Sequence, residues 1–443
     1  MPPFIALIIW IAFILVVFII DIKQNPKVSK SLILPGVWLL FNIRSPSNWL
    51  NFVYPMDNYL TKVNYTEGNP IDRNIYFVLI MLGLYMLSRR KISWREMIRN
   101  NVWLTLFIFY CFISILWSAY PFVAFKRWFL FVGEVIIILI ILTDRDPDNA
   151  IKTIIRRNAY FCISLSLLLV KYFPEYGRTY SPFSGQAMFT GISSHKNPFG
   201  LLCMLFGLYF FWNLISLWTK RKVMKIQKEE IVIQLIYLLM ILWLLYIANS
   251  ATSLLCLIIG SIIILFLKTP YIENRKNYIF IYSFSIIVIP IFIYMLFDLH
   301  TIILTYLGRD ATFTGRTYIW ENVLNVAINP IIGKGFQSFW IGSTVDVISD
   351  GYASILNQAH NGYLEIYLNL GYIGLCILIG IIFSAFINVK NKILFSTDFS
   401  YFCFAITIIV LLYNITEAYF RYKTLLWFVF LTLCVIKPKK IHY

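Results

Sequence analysis

Runs of about 17–22 apolar residues recur along the whole chain, and they restrict its possible folds more than any other feature. Such runs are too long for the interior of a small soluble domain and match the thickness of a bilayer's hydrocarbon core. They fall at roughly 4–20, 31–43, 73–88, 101–117, 128–142, 158–173, 198–218, 231–247, 254–267, 278–297, 362–388, 401–416 and 424–436. Together they predict about 12 or 13 crossings, the lower figure applying if the short run with Pro35-Gly36 is a bent or incomplete span. Composition agrees: 60% of the 443 residues are hydrophobic and 13% charged, more apolar surface than a soluble protein of this size can hide. The expected fold is an all-α polytopic integral membrane protein, a single membrane domain over 1–443. The first run has no basic residue before it and no small-residue cleavage site after it, so it reads as a retained span.

The net charge of +17 invites a nucleic-acid reading, but the cations are scattered over short loops. Insertion bias explains them: Arg89-Arg90-Lys91, Arg156-Arg157, Lys220-Arg221-Lys222, Arg275-Lys276 and Lys437-Pro438-Lys439-Lys440 all fall on one side if the spans alternate. That side is expected to be cytoplasmic. The stretches 44–72, 118–127, 174–197, 248–253, 298–361 and 417–423 then face outward. No nucleic-acid partner is implied. The seven cysteines lie within apolar runs without metal-ligand spacing, and read as small buried hydrophobes.

The outward stretches carry the unusual residues. Residues 298–361 form the longest polar interruption, with Arg309, Arg316 and Lys334, and end on His360 at the lip of a new apolar run. Within this stretch Gly315–Leu324 reads as a short amphipathic helix, Asn329-Pro330 as its end and Gly333-Lys334-Gly335 as a turn. There is no Gly-rich phosphate loop, no Asp-x-Asp pair and no His-Glu-x-x-His. No inward loop is large enough for a nucleotide. An enzyme built this way needs a substrate already in the membrane, energised by its own leaving group, and a diphosphate-linked lipid meets that need.

Arg127, Arg178, Lys196 and Arg316 lie near span ends on the outward side, where guanidinium forks suit a diphosphate. Each taken alone is more often a snorkelling interfacial cation. His360 is the candidate general base for an acceptor hydroxyl, or else a histidine in a helix cap. His195-Lys196-Asn197-Pro198 opens another span on the same side and adds the field of a helix N-terminus. Glu365, one turn beyond His360, either orients it or is an acid favoured by the helix dipole. Glu134 is an acid within an apolar run, expected to pair with a buried cation.

These residues resemble the O-antigen ligase/polymerase superfamily of bacterial surface-glycan enzymes. His360-Asn361, nine positions, Gly371, two positions and Gly374 are similar to that family's His, Asn/Ser/Gln and two-Gly pattern. Thr314-Gly315-Arg316 with Trp320, Gly333-x-Gly335 with Phe339, and Gly191 before Asn197-Pro198-Phe199-Gly200 resemble further family segments. Pro35, Trp38, Arg44-Ser45, Trp49 and Gly68–Arg73 resemble its exopolysaccharide-type members.

The resemblance implies a membrane-embedded, GT-C-like helical fold and an inverting glycosyltransferase that needs neither metal nor cofactor. The donor would be an undecaprenyl-diphosphate-linked oligosaccharide and the acceptor a glycan or a lipid core. The active site would face the periplasm from the bacterial inner membrane. The essential His maps to His360 and the diphosphate-contacting Arg to Arg316, with Arg178 and Arg127 mapping less directly. From their own positions beside these, Lys196 and His195 are further candidate diphosphate contacts, and Asn361 and Glu365 are secondary site residues. The expected activity is polymerisation of repeat units. The alternatives are ligation to lipid A-core and, from another class, flipping of a lipid-linked glycan.

Overall fold

The computed structural model describes residues 1–26, 28–51, 68–180, 185–220, 228–273, 275–278, 316–342, 345, 348, 356–395 and 398–435. The run expected at 278–297, together with Arg309, Thr314 and Gly315, lies essentially outside them. Every other predicted run is helical. Among the described residues, seven helices are long and apolar enough to cross a membrane, and an eighth joins them if Trp94–Asn100 and Val102–Trp117, bent by 94°, count as one span. Lys30–Ile43, Ala251–Leu267 and Leu425–Val435 are shorter apolar helices. The protein is therefore an all-helical polytopic membrane protein. A two-stranded antiparallel hairpin, β1 (Arg178–Tyr180) and β2 (Ala187–Phe189), is an addition the apolar pattern did not signal.

Helix starts follow local chemistry. Proline occupies the first turn of Pro3–Gln24, Pro70–Ser88 and Pro147–Tyr172, where its missing N–H costs nothing. Asn69 and Asp146 cap the second and third of these, accepting from Ile71 N and Asn149 N at 2.9 and 3.1 Å. Burial then sorts the helices. Pro147–Tyr172 and Phe399–Thr416 are largely enclosed by protein, whereas most of Pro3–Gln24 presents apolar side chains outward, as lipid contact requires.

The chain divides into two compact units. The first comprises Met1–Asn101, Leu130–Ile264 and Tyr422–Tyr443. In it Pro3–Gln24 packs along Pro147–Tyr172, tied by Trp10 Nε1 to Ser164 Oγ (2.9 Å) and by Asp21 to Arg156 and Arg157 (2.6 and 2.7 Å). Those two arginines, expected in a loop, lie instead inside a helix, where Asp21 compensates charges that burial would otherwise penalise. Tyr160, Phe210 and Tyr237 stack where Pro147–Tyr172, Lys196–Lys220 and Lys228–Ala248 meet.

The second unit comprises Val102–Phe129 and Leu265–Arg421. Its core gathers Ile319, Val323, Phe339, Trp340, Ala359 and Leu368. Its axis is the helix Gly362–Phe395, which packs against Val102–Ile113 and Phe399–Thr416. That helix is interrupted at Gly371, with φ 63°. Peptide groups around the break are satisfied by the turn at 330–335: Tyr372 N and Ile373 N donate to Pro330 O and Ile331 O, and Lys334 N and Gly335 N donate to Leu368 O and Asn369 O. A Cβ on Gly371 would stand 2.3 Å from the Ile331 carbonyl.

Several contacts within each unit link stretches of the same expected side. In the first, Arg44 bonds Ile192 O and Ser47 N bonds Asp72, all from stretches placed on one face; Arg90 reaches Thr143 and Ser31, from the other. In the second, residues 316–360 meet 417–421 on one face, while Lys268 pairs with Asp398 on the other at 2.6 Å. Of the cysteines, six are buried as expected and Cys376 is exposed.

Candidate functional site

His360 sits at the end of an irregular stretch that side chains hold from both directions. Ala359 N donates to Glu365 Oε2 at 3.1 Å, and Ala359 O accepts from Trp320 Nε1 at 2.8 Å. On the other side Asn361 Oδ1 accepts from Tyr363 N and Leu364 N, both at 3.0 Å, and caps the helix Gly362–Phe395. Between these fixed points His360 is left-handed, with φ 49°. Few non-glycine residues adopt that conformation, and where one does the surroundings impose it. Asn361 is thus a helix cap whose effect is to aim its neighbour.

The imidazole Nδ1 lies 3.2 Å from Glu417 Oε2, and the other carboxylate oxygen of Glu417 accepts from Arg316 Nη2 at 2.6 Å. The Glu417 side chain is 4% exposed, so this carboxylate exchanges water for two specific donors. A carboxylate offers only acceptors, so Nδ1 donates to it, and in the neutral ring Nε2 is then the nitrogen with the lone pair. Gln358 Nε2, 3.5 Å from Nδ1, is too distant to compete. This pairing is possible because Gly362 has no side chain: a Cβ there would stand 2.0 Å from Asn414 Oδ1. The same oxygen accepts from Tyr419 N and Phe420 N and so folds the turn after Phe399–Thr416. Burial, with Glu417 beside it, pushes the Tyr419 phenol well above its ordinary range, so it stays neutral.

Glu365 does not orient His360 as the first expectation had it. Its buried carboxylate binds Trp340 Nε1 (2.8 Å), Ala359 N and Asn369 Nδ2, so it shapes the backbone before His360 while Glu417 holds the ring. Sequence reasoning missed Glu417, although it is the only acid in the outward stretch 417–423. Arg127, in this unit, donates from Nη1 to Gln337 O, in a loop that Ser118 and Ser338 also bridge at 2.7 Å.

Arg178, Lys196 and His195 belong to the other unit. Arg178 gives Nε and Nη2 to Val170 O, at 3.2 and 2.8 Å, and lies over the Phe189 ring. His195 is exposed and its carbonyl accepts from Phe199 N, while half-buried Lys196 opens the helix Lys196–Lys220. Arg44 binds Asn48 O and Ile192 O, and burial lowers its guanidinium to about 10. Glu134, expected beside a buried cation, accepts from Asn42 Nδ2 and from the backbone N–H of Lys423.

A multi-pass helical membrane protein with an imidazole, a carboxylate and a guanidinium joined where its helices end is the class these features define. Comparison narrows it. Residues 236–379, less than half of the chain, match the family model described as O-antigen ligase. The chain is 25% identical over 331 residues to the exopolysaccharide production protein ExoQ of Rhizobium meliloti, covering 72% of each. It is 26% identical over 351 residues to a Rickettsia typhi protein provisionally named a polysaccharide ligase, covering 75% of this chain and 80% of that one. No solved structure matches. Residues 236–379 thus resemble an O-antigen ligase domain, and most of the chain resembles these two polysaccharide-related proteins. The matched residues include Arg316, His360 and Glu365; Glu417 lies beyond them.

Proposed function

We propose that this protein transfers a glycan from undecaprenyl diphosphate to an acceptor sugar hydroxyl at the periplasmic face of the bacterial inner membrane, polymerising O-antigen or exopolysaccharide repeat units. The observation that carries the reading is the Glu417 carboxylate shared between His360 and Arg316. His360 Nε2 takes the proton of the acceptor hydroxyl as its oxygen bonds to the anomeric carbon. The bond from that carbon to the diphosphate breaks with inversion, and the electron pair leaves on the diphosphate. Arg316, held at the same carboxylate, offers a fixed positive charge to the departing group. Glu417 stabilises the imidazolium that forms. The diphosphate is itself the leaving group, so the reaction needs no nucleotide, and Arg316 supplies the positive charge that a metal would otherwise offer.

Arg127, Lys196, His195 and Arg178 are proposed as further diphosphate contacts on the strength of their sequence positions. Arg178 is the weakest of these, since Val170 and Phe189 already occupy its guanidinium.

The test is to incubate purified protein with a short lipid-diphosphate-linked repeat unit in the presence of a chelator. A ladder of products is expected. One larger product, formed only with added lipid core, would make it a ligase, as the matching family description suggests. Translocation without any product would make it a flippase and overturn the catalytic reading.

A further inference from the structure

Tyr363 lies in the first turn of the helix Gly362–Phe395, just past His360, and the reaction above does not use it. Asn361 Oδ1 fixes its backbone N–H at 3.0 Å. Its side chain then grips a second helix end in two places. The hydroxyl donates to Leu411 O at 3.1 Å, near the end of Phe399–Thr416. The ring meets Phe420 edge-on, with centroids 5.2 Å apart and planes at 74°. Phe420 is buried, and its N–H donates to Asn414 Oδ1. Between Leu411 and Phe420 the chain makes the turn that carries Glu417, whose own N–H donates to Tyr413 O at 3.1 Å. A tyrosine hydroxyl taken out of water usually bonds a carbonyl only to avoid being left unpaired. What sets Tyr363 apart is that its two partners bracket the carboxylate that holds His360, all within the second unit. Asn414 folds that turn from its own helix, whereas Tyr363 joins the turn to the helix that His360 precedes.

We propose that Tyr363 is a positioning residue: it clamps the turn bearing Glu417 to the entrance of Gly362–Phe395 and so sets the approach of that carboxylate to His360 Nδ1. The proposal rests on the reading of His360 as the base. The contact it protects is 3.2 Å, already at the long end of an N–H···O bond, so little widening is tolerated. A misplacement of about 1 Å can cost about 10²-fold in rate. Tyr363→Phe removes the hydroxyl and keeps the ring edge on Phe420. Tyr363→Leu removes both grips. A group that acts on the rate only through Glu417 has nothing left to act on once Glu417 no longer accepts from the imidazole. Its effect on kcat should therefore vanish in a Glu417→Gln background.

The experiment compares Tyr363→Phe and Tyr363→Leu, each alone and combined with Glu417→Gln, as full-length protein in nanodiscs with a lipid-diphosphate-linked repeat unit. Tyr363→Leu is expected to lower kcat at least about tenfold, with donor KM within about twofold of wild type. Tyr363→Phe should lower it about threefold, the ring contact being kept. Amide hydrogen exchange across 417–420 should quicken in Tyr363→Leu. In the Glu417→Gln background neither change should lower kcat further, which a packing role alone would not produce. Unchanged kcat and exchange in Tyr363→Leu would overturn the proposal. So would a loss of the same factor with and without Glu417, or equal damage from the two variants. Should Tyr363→Leu fail to accumulate in the membrane, the Tyr363→Phe pair decides by the same comparison. The exchange readout needs no substrate, so it judges the clamp even if a fully active His360→Ala variant has removed the catalytic reading.

Discussion

His360 and Glu417 are 57 residues apart in the chain, yet Nδ1 of one lies 3.2 Å from Oε2 of the other. Glu417 replaces Glu365 as the carboxylate that sets the imidazole tautomer, and through its second oxygen it ties that ring to Arg316. The first predictions concern this link.

Glu417→Gln should cost about 10²–10⁴-fold in kcat, the usual contribution of a positioned general base. The amide of that variant can donate to Nδ1, which moves the ring proton to Nε2 and removes the base. His360→Ala should abolish glycan chain formation with protein level unchanged. The double variant should be no worse than either alone, since the two groups act as a unit. Single-turnover rates with a lipid-linked repeat unit check this, and additive losses would separate the two roles.

Arg316→Lys keeps a positive charge and loses the planar fork that reaches one acceptor while facing another. We expect kcat/KM to fall at least about tenfold, with the larger part in kcat. A drop confined to KM would make Arg316 a ground-state contact only.

Gly362→Ala puts a methyl group where Asn414 Oδ1 and Cγ stand, 2.0 and 2.7 Å from the ideal Cβ position. Overpacking of this kind costs about 1–3 kcal/mol, and here it must also separate the turn bearing Glu417 from His360. A lower thermal midpoint together with a disproportionate loss of activity is the expected outcome. Melting curves and initial rates measured on one preparation will show whether the two effects part.

Gly371→Ala should destabilise the protein without touching the reacting groups. The residue has φ 63°, and the Ile331 carbonyl would stand 2.3 Å from an added Cβ. Backbone strain of this type costs of the order of 1–3 kcal/mol, and the displaced carbonyl adds to it. Accumulation in the membrane and the thermal midpoint should both fall. A variant of wild-type stability would show that the stretch 330–335 can move away from the break.

Much of this molecule was legible in its sequence, for reasons that differ from part to part. Apolar runs report local burial, so they located the helices. The Arg316–Leu324 helix and the turn at 333–335 followed from caps and glycines. His360, Asn361 and Gly371 stood out by their spacing, but what each does physically in the fold did not. Asn361 is a cap, Gly371 is a break lined by another segment's peptide groups, and Arg178 is occupied by a carbonyl and a ring. Arg156 and Arg157 read as loop charge because Asp21, which permits their burial, lies 135 and 136 residues earlier in the chain.

Taken alone, the sequence determined that this is a helical, membrane-spanning chain, and it singled out one histidine-bearing helix entrance as the proposed place of its chemistry. Hydrophobicity and capping act over a few residues, and a linear reading captures them. Only the tertiary structure decided which carboxylate holds that histidine. The choice depends on how closely two helix ends approach, and that distance is set by the missing side chain of Gly362 against the amide of Asn414.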